Sequence, residues 1–210
     1  MEKFIRLEGV AAPLPRDNVD TDAVIPVPWV KSVTPDYARA LFANWRWQDG
    51  DGVTELPDFV LNREAFRSAV FLVSGANFGC GSSREAAVWA LAGFGIRCVI
   101  AASFGDIFYE NCFKNGVLPL KLPPDHLARL QMQLAEGTGG HRMAVDLEAQ
   151  TLRLPDGTTL GFDIDGGRRR TLLSGLDEIG QTLLMEAELA AFEERDRSAR
   201  PWIYEPPLNA

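Results

Sequence analysis

The stretch "NFGCGSSREAAVWAL", residues 77–91, concentrates the side chains best suited to chemistry. It places two hydroxyls, Ser82 and Ser83, beside the guanidinium of Arg84, directly after a glycine-rich segment and before an apolar helical run. A guanidinium can bind a carboxylate through two parallel hydrogen bonds, while hydroxyls and loop amides satisfy the other lone pairs. The glycines of "GANFGCG" do not follow the G-x-G-x-x-G spacing, and no P-loop lysine follows them. The pattern therefore predicts a site for a small carboxylate rather than for a nucleotide.

Ser82 also fits a purely structural role. Glu85 follows it by three residues, which is the spacing of an S-x-x-E capping box. In that alternative Ser82 caps the helix, and Arg84 is a solvated residue of the first turn. A cation at this positive helix end is unfavourable by ~0.3 to 1 kcal/mol, which favours a functional reason for Arg84. The capping alternative for Ser82 stays open.

The sequence pattern of the strands and helices that must position these side chains predicts an α/β fold. Strands and helices alternate from residue 68 to 122, which is typical of parallel strands joined by helical crossovers. Three short strands in "RMAVDLEAQTLRLPDGTTLGFDI" predict an antiparallel β-meander, and 18–30, with its prolines, predicts a loop. The other predicted elements are strands over 4–14, 68–75, 96–103 and 116–122, and helices over 36–47, 83–93, 105–114, 124–135 and 182–196.

Composition and charge limit the function classes. The chain is 46% hydrophobic and 24% charged, without repeats or low-complexity segments, so we predict one domain over 1–200 and an extended tail over 201–210. A net charge of −8 argues against nucleic acid or anionic lipid as partners, and "RRR" at 168–170 is interpreted as a solvated run. No apolar run reaches the ~20 residues of a membrane span. The first ten residues lack a signal-peptide pattern, so we expect a cytoplasmic protein.

The cysteines and histidines do not predict a metal site. Cys80, Cys98 and Cys112 are too far apart for an iron–sulfur motif such as C-x2-C, and we expect free thiols and no cofactor bound by this chain. Cys80 is either a reactive thiol at a helix start or a small packing residue, and Cys98 belongs to a core strand. His126 and His141 have no paired ligands.

Three blocks, in order, resemble the aconitase superfamily. They are "NVDTDAVIP" at 18–26, "NFGCGSSRE" at 77–85 and "FGDIFYENCFKNGVLP" at 104–119, and the chain is most similar to the small subunits of 3-isopropylmalate dehydratases. The resemblance covers most of the chain and implies a swivelling β/β/α domain, an α/β fold with a mixed sheet, flanking helices and a C-terminal β-meander. It also implies a heterodimer or larger complex with a large subunit that bears a [4Fe–4S] cluster, and a small diacid as substrate.

The same resemblance assigns roles to residues of the blocks. Ser82 matches the serine that, as an alkoxide, abstracts a proton from the carbon next to a carboxylate, and Asp22 matches an active-site acid. Asp22 alternatively fits a turn or helix-cap residue. The residues that we predict to bind substrate are Ser83, Arg84, Thr21, Asn77 and Gly81.

The implied activity is a hydro-lyase reaction that isomerises 2-isopropylmalate to 3-isopropylmalate in leucine biosynthesis. Ala86 and Val88 stand where the family commonly has His and Pro, and the segment after "AVIPVPWV" lacks a glycine and a basic residue often seen there. An apolar pocket separates substrates that differ by a methylene by only ~1 to 3 kcal/mol, so a paralogous dehydratase for dimethylmalate, citraconate or a related diacid is an alternative. A second alternative is a non-catalytic anion-binding module.

Overall fold

The computed structural model describes residues 1–31, 34–82, 84–136 and 140–204 of the 210-residue chain. The chain divides into two compact units, Met1–Gly175 and Leu176–Ala210. The glycine-rich segment, residues 75–81, lies in the first unit.

The first unit is built on one seven-stranded mixed sheet, with the strand order β4-β3-β2-β1-β5-β6-β7. The strands are β1 (Arg6–Pro13), β2 (Ala69–Val73), β3 (Cys98–Ala101), β4 (Leu118–Lys121), β5 (Arg142–Asp146), β6 (Thr151–Arg153) and β7 (Thr159–Gly161). The strands β1 to β4 are parallel to one another, whereas β5 pairs with β1 in the antiparallel sense and continues into the β6 and β7 meander. Because the carboxyl ends of parallel strands meet at one edge, the loops that follow β1, β2 and β3 lie together.

Ten helices accompany these strands in the described residues. They are α1 (Thr21–Val24), α2 (Val27–Val30), α3 (Tyr37–Ala40), α4 (Ala43–Arg46), α5 (Glu85–Phe94), α6 (Asp106–Lys114), α7 (Pro124–Ala135), α8 (Gly166–Ser174), α9 (Glu178–Leu183) and α10 (Glu186–Ala199). Short 3-10 turns cover Gln48–Gly50, Val60–Asn62, Glu64–Phe66 and Pro201–Ile203. The predicted β-α-β-α-β order and the meander are present at nearly the predicted places.

Alternate residues of β2 face two separate apolar cores. Leu72 packs in one core with Leu91 of α5 and Phe78 of the glycine-rich segment. Phe71 and Val73 pack in the other core, which contains the buried side of α7 and of the meander. The sheet is therefore covered on both faces, as a parallel arrangement requires.

The helix predicted over 36–47 is instead two one-turn helices, α3 and α4. They are separated at Phe42, whose φ of 51° is left-handed. Phe42 is fully buried, and its ring stacks on that of Trp45 with the centroids 5.4 Å apart. Burial of this ring offsets the ~1–2 kcal/mol that a left-handed residue costs. Tertiary packing thus overrides the local helical pattern.

The segment 18–30 is not a simple loop, because it contains α1 and α2. Pro26 is the N-cap residue of α2, and Pro28 lies in its first turn. A proline is tolerated there because the amide that it lacks would have no helical acceptor. The prolines begin a helix rather than prevent one.

The arginines at 168–170 lie in α8, which the sequence did not predict. Arg168 donates a hydrogen bond to Glu110, and Arg169 donates one to the carbonyl of Glu148 at 2.7 Å. Of these three arginines, only Arg170 is exposed. The prediction of a solvated run is therefore wrong for the first two arginines, because both bind neighbouring elements of the first unit.

In its described residues, 176–204, the second unit consists of α9, α10 and a terminal 3-10 turn. The helix predicted over 182–196 is divided at Leu184–Met185 and extends further in both directions. Residues 201–203 form the 3-10 turn rather than an extended segment, and 205–210 lie outside the described residues. The predicted division into a domain over 1–200 and a tail over 201–210 stays a prediction.

Candidate active site

The glycine-rich segment lies at the carboxyl end of β2, between the loops that follow β1 and β3. On one side the amide of Gly79 donates to the carbonyl of Val19 at 2.7 Å. On the other side the amide of Phe78 donates to the carbonyl of Ser103 at 3.0 Å, and Gly105 donates back to the carbonyl of Phe78 at 2.9 Å. These bonds extend the strand order of the sheet into its loops and fix the backbone path of the segment.

Two of the glycines are required by close backbone approach. Gly79 has a φ of +73°, and an added Cβ would lie 2.5 Å from Cδ1 of Phe108. A Cβ on Gly105 would lie 2.6 Å from the carbonyl oxygen of Gly79. The segment therefore passes directly over the first turn of α6, and only glycine fits at the crossing.

Side chains that the sequence analysis missed hold the start of the segment. Oδ1 of Asp17 accepts a hydrogen bond from the amide of Ala76 at 2.6 Å. Oδ1 of Asn18 accepts from Nδ2 of Asn77 at 2.8 Å, and Oγ of Ser103 accepts from the Asn77 amide at 2.8 Å. Asn18 stands in the first family-like block, and Ser103 directly precedes the third, so the blocks were the available signal.

Ser82 is exposed at the end of the segment and does not cap α5. The helix begins at Glu85, its N-cap residue is Arg84, and no side chain makes a cap hydrogen bond. Oε1 of Glu85 instead accepts from Nδ2 of Asn115 at 2.8 Å. The capping-box alternative is therefore wrong, because the chain at Ser82 has not yet entered the helix. The carbonyl oxygen of Ser82 accepts a hydrogen bond from Oγ1 of Thr21 at 2.9 Å, which ties the segment to α1.

Arg84 forms an ion pair with Asp22, so the two predicted site residues lie together. The side chain of Arg84 is 21% exposed and that of Asp22 is 56% exposed, which leaves the carboxylate accessible to solvent. Asp20 is the N-cap residue of α1 and accepts from the amide of Ala23 at 2.7 Å, so this short helix has a fixed start just before Asp22. The alternative of Asp22 as a helix cap is wrong, since Asp20 fills that position. Ser83 lies outside the described residues.

A cavity of about 330 Å³ opens between the glycine-rich segment and the first turn of α6. Its described walls are Asn77, Gly79, Cys80, Gly81, Ser82, Gly105, Asp106, Ile107 and Phe108. The first amides of α6 have no acceptors within the helix, and the positive end of its dipole lies at this wall. The cavity thus combines a hydroxyl with a helix start suited to an anion.

The thiols differ in their surroundings. Cys80 is partly exposed in the cavity wall, whereas Cys98 and Cys112 are fully buried. Burial raises the pKa of both buried thiols, so they stay protonated at neutral pH. Within the ranges that the structure covers, no three His, Cys, Asp or Glu side chains come together to hold a metal ion.

Comparison with known proteins decides the family. The family model of the aconitase C-terminal domain matches residues 1–125, a model described as LeuD_N matches 132–166, and the model for the C-terminal domain of the 3-isopropylmalate dehydratase small subunit matches 178–204. The 3-isopropylmalate dehydratase small subunit of Parvibaculum lavamentivorans is 52% identical over 204 residues, which cover 97% of this chain and 100% of that protein. This chain belongs to the 3-isopropylmalate dehydratase small-subunit family. The corresponding protein of Paramagnetospirillum magneticum is 52% identical over 205 residues, with 97% and 100% coverage.

A solved structure of the same family has the same fold. The crystal structure of a 3-isopropylmalate dehydratase from Methanocaldococcus jannaschii is 28% identical, with a TM-score of 0.62 over 90% of this chain and 99% of that chain. The predicted family, the α/β fold of the superfamily and the hydro-lyase class are confirmed. Small subunits of this dehydratase family have a large-subunit partner. No helix in the described part of the chain is long and apolar enough to span a membrane.

Proposed function

We propose that this chain is the small subunit of a hydro-lyase that interconverts 2-isopropylmalate and 3-isopropylmalate by dehydration and rehydration. Similarity over nearly the whole length to proteins named 3-isopropylmalate dehydratase small subunit supports the substrate. The observation that carries the mechanism is the exposed Ser82 beside the ion pair of Arg84 and Asp22, at the edge of a cavity. The reaction belongs to leucine biosynthesis and takes place in the cytoplasm.

Dehydration removes a proton from the carbon next to a carboxylate and a hydroxide from the neighbouring carbon. Ser82, as an alkoxide, takes the proton, and Arg84 binds the carboxylate on which negative charge grows as the proton leaves. Ser83 helps to orient that carboxylate. The hydroxide takes a proton from Asp22 and leaves as water. Addition of water to the resulting isopropylmaleate then places the hydroxyl on the other carbon, and Ser82 returns its proton to the carbon that lost the hydroxyl, which yields the isomer and regenerates the alkoxide.

The surroundings of Ser82 support its role as a base. A serine hydroxyl is a weak base in water, so its alkoxide needs nearby donors and positive charge. Arg84 lies two residues away in the sequence, and residues 106–108 of the first turn of α6, at the positive end of the helix dipole, line the same cavity. Thr21 holds the backbone at Ser82, while Asn77 and Gly81 form the cavity wall where the substrate binds.

Asp22 has two roles in this mechanism. Before substrate binds, its carboxylate pairs with Arg84 and keeps the guanidinium in place. A substrate carboxylate replaces it on the guanidinium, which binds the substrate through two parallel hydrogen bonds. Once displaced and protonated from solvent, Asp22 acts as the active-site acid, which gives its proton to the departing hydroxide.

The residues of this chain do not fit a [4Fe–4S] cluster. Such a cluster needs three or four thiolates, and two of the three cysteines are buried and protonated. We therefore assign the cluster to the large subunit, and none of the steps given above for this chain involves it.

Two departures from the family pattern, Ala86 and Val88, lie outside the wall of the cavity, whereas the segment after "AVIPVPWV" includes residues 32 and 33, which lie outside the described residues. Ala86 and Val88 are buried in the core that α5 shares with the sheet, and neither forms part of the cavity wall. They give no support to the alternative of dimethylmalate, citraconate or another diacid as the substrate.

The role of Ser82 is tested with Ser82→Ala in the complex with the large subunit. We expect kcat to fall by about 100-fold or more, the usual contribution of a proton-transfer group, with KM changed less than about threefold. Ser68→Ala is the matched control, because Ser68 is an exposed serine that precedes β2 at its opposite end. Near-normal turnover of Ser82→Ala would contradict the mechanism.

A further inference from the structure

The second unit of the chain exposes apolar side chains instead of enclosing them. None of the side chains described between 176 and 204 is buried. Half of the large apolar residues that the described chain exposes lie in this short segment: Ile179, Leu183, Leu184, Met185, Leu189, Phe192, Trp202, Ile203 and Tyr204. Units below about 40 residues rarely bury enough surface to be stable alone. This unit therefore needs a surface that covers it.

The apolar side chains are arranged on one side of α10. Met185, Leu189 and Phe192 follow the spacing i, i+4, i+7, which places them along one helix face. They are 51%, 42% and 53% exposed. The helix thus presents a continuous apolar stripe rather than scattered single residues.

The terminal turn is fixed and presents further apolar residues. The hydroxyl of Tyr204 donates to Oδ2 of Asp196 at 2.9 Å, and Nε of Arg200 donates to Oδ1 of the same carboxylate at 2.6 Å. These bonds hold the 3-10 turn in which Trp202 and Ile203 remain exposed, at 66% and 54%. An exposed tryptophan held by ordered neighbours is typical of the residues that dominate binding energy at interfaces.

We propose that the apolar face formed by Met185, Leu189 and Phe192 of α10, together with Trp202 of the terminal turn, docks on the large subunit of the dehydratase, in an apolar groove flanked by basic side chains. The inference rests on the proposed function, which supplies this partner. It identifies the part of the small subunit that holds the two chains together, and none of these residues lines the cavity at Ser82.

Charge favours the large subunit over other occupants. Residues 176–204 contain seven acidic and three basic side chains, in a chain of net charge −8. Like charges repel a second copy of this chain and an anionic membrane, whereas a partner with basic groups around an apolar groove is attracted.

The family matches point to the same occupant. The aconitase C-terminal domain model ends at residue 125, whereas the model that matches 178–204 is specific to 3-isopropylmalate dehydratase small subunits. The second unit is therefore a feature of the family in which this domain is a separate chain. A separate chain needs an interface that keeps it on its partner, and the exposed apolar face provides one.

The test measures the affinity of the full-length chain for the purified large subunit by biolayer interferometry. Phe192→Ser and Trp202→Ala are expected to raise Kd by about tenfold or more each, as expected for buried anchors of an interface. Met132→Ser is the matched control, since Met132 is 65% exposed on α7 of the first unit, and it should change Kd less than about twofold. Turnover of both variants should return to the parent value at saturating large subunit, because the cavity is intact.

Other outcomes overturn the inference. Unchanged Kd in both variants, with circular dichroism showing intact helices, would exclude the large subunit as the occupant. A lower melting temperature with unchanged Kd would place the face on the first unit, and a dimer that the variants dissociate in sedimentation would assign it to a second copy. If the parent chain does not bind the large subunit, the proposed function itself fails.

Discussion

Gly79→Ala is expected to destabilise the first unit by about 2–5 kcal/mol. A left-handed backbone costs a non-glycine residue ~1–2 kcal/mol, and Gly79 has a φ of +73°. The added methyl group also overlaps Phe108, which is 2% exposed and whose ring lies 5.4 Å from that of Phe78, so it cannot move aside. Overpacking of this kind costs ~1–3 kcal/mol.

Alanine substitutions at two other glycines separate the cost of backbone strain from the cost of steric overlap. Gly95 ends α5 with a φ of +110° and has no atom within 4 Å of an added Cβ, so Gly95→Ala measures strain alone. Gly81 lies in the same segment as Gly79, and its nearest neighbour would be at an ordinary 3.6 Å. Urea unfolding of the three variants, followed by circular dichroism, gives the free energies. Equal costs in all three would refute the close passage of the segment over α6.

Three further changes test other parts of the structure. Arg46→Met should lower the free energy of unfolding, measured in urea, by about 2–4 kcal/mol. The guanidinium of Arg46 is buried, which lowers its pKa to about 10, and it donates to two backbone carbonyls that would lose their donor. An unchanged midpoint would contradict this. A thiol reagent such as 5,5′-dithiobis(2-nitrobenzoate) should label Cys80 quickly in the native chain, and Cys98 and Cys112 only after denaturation. Rapid labelling of all three cysteines in the native chain would contradict the burial of Cys98 and Cys112. The amide of Thr158 lowers the pKa of Asp156 to about 2, so its stabilising contribution is complete above about pH 4 and is lost as the pH falls toward 2. Asp156→Asn should therefore lower the melting temperature at pH 7 but not at pH 2, and an equal loss at both would refute the assignment.

Much of the fold follows from local sequence patterns. The buried strands and the helices between them show apolar periodicity and glycine signals within a few residues. The break at Phe42 could not be predicted, because it depends on burial of a ring among distant residues. The pattern around 36–47 is helical, and only the packed core reveals the left-handed residue.

The arrangement around the candidate site was less predictable than the fold. The family-like blocks predict Asp22, Ser82 and Arg84 as site residues, which stays a prediction, and the contacts of these residues join positions about 60 apart. The capping spacing of Ser82 is a local signal that a distant contact with Thr21 overrides. The roles of Asp17 and Ser103 depend on loops from separate strands, which no local pattern records.

The substrate assignment is the central claim, and one reconstitution tests it most directly. The chain is combined with its anaerobically prepared large subunit, and initial rates are measured on 2-isopropylmalate, citraconate and dimethylmalate. We predict the highest kcat/KM for 2-isopropylmalate. A preference for a smaller diacid would contradict the proposed substrate, and no turnover on any of the three would favour a module that only binds anions.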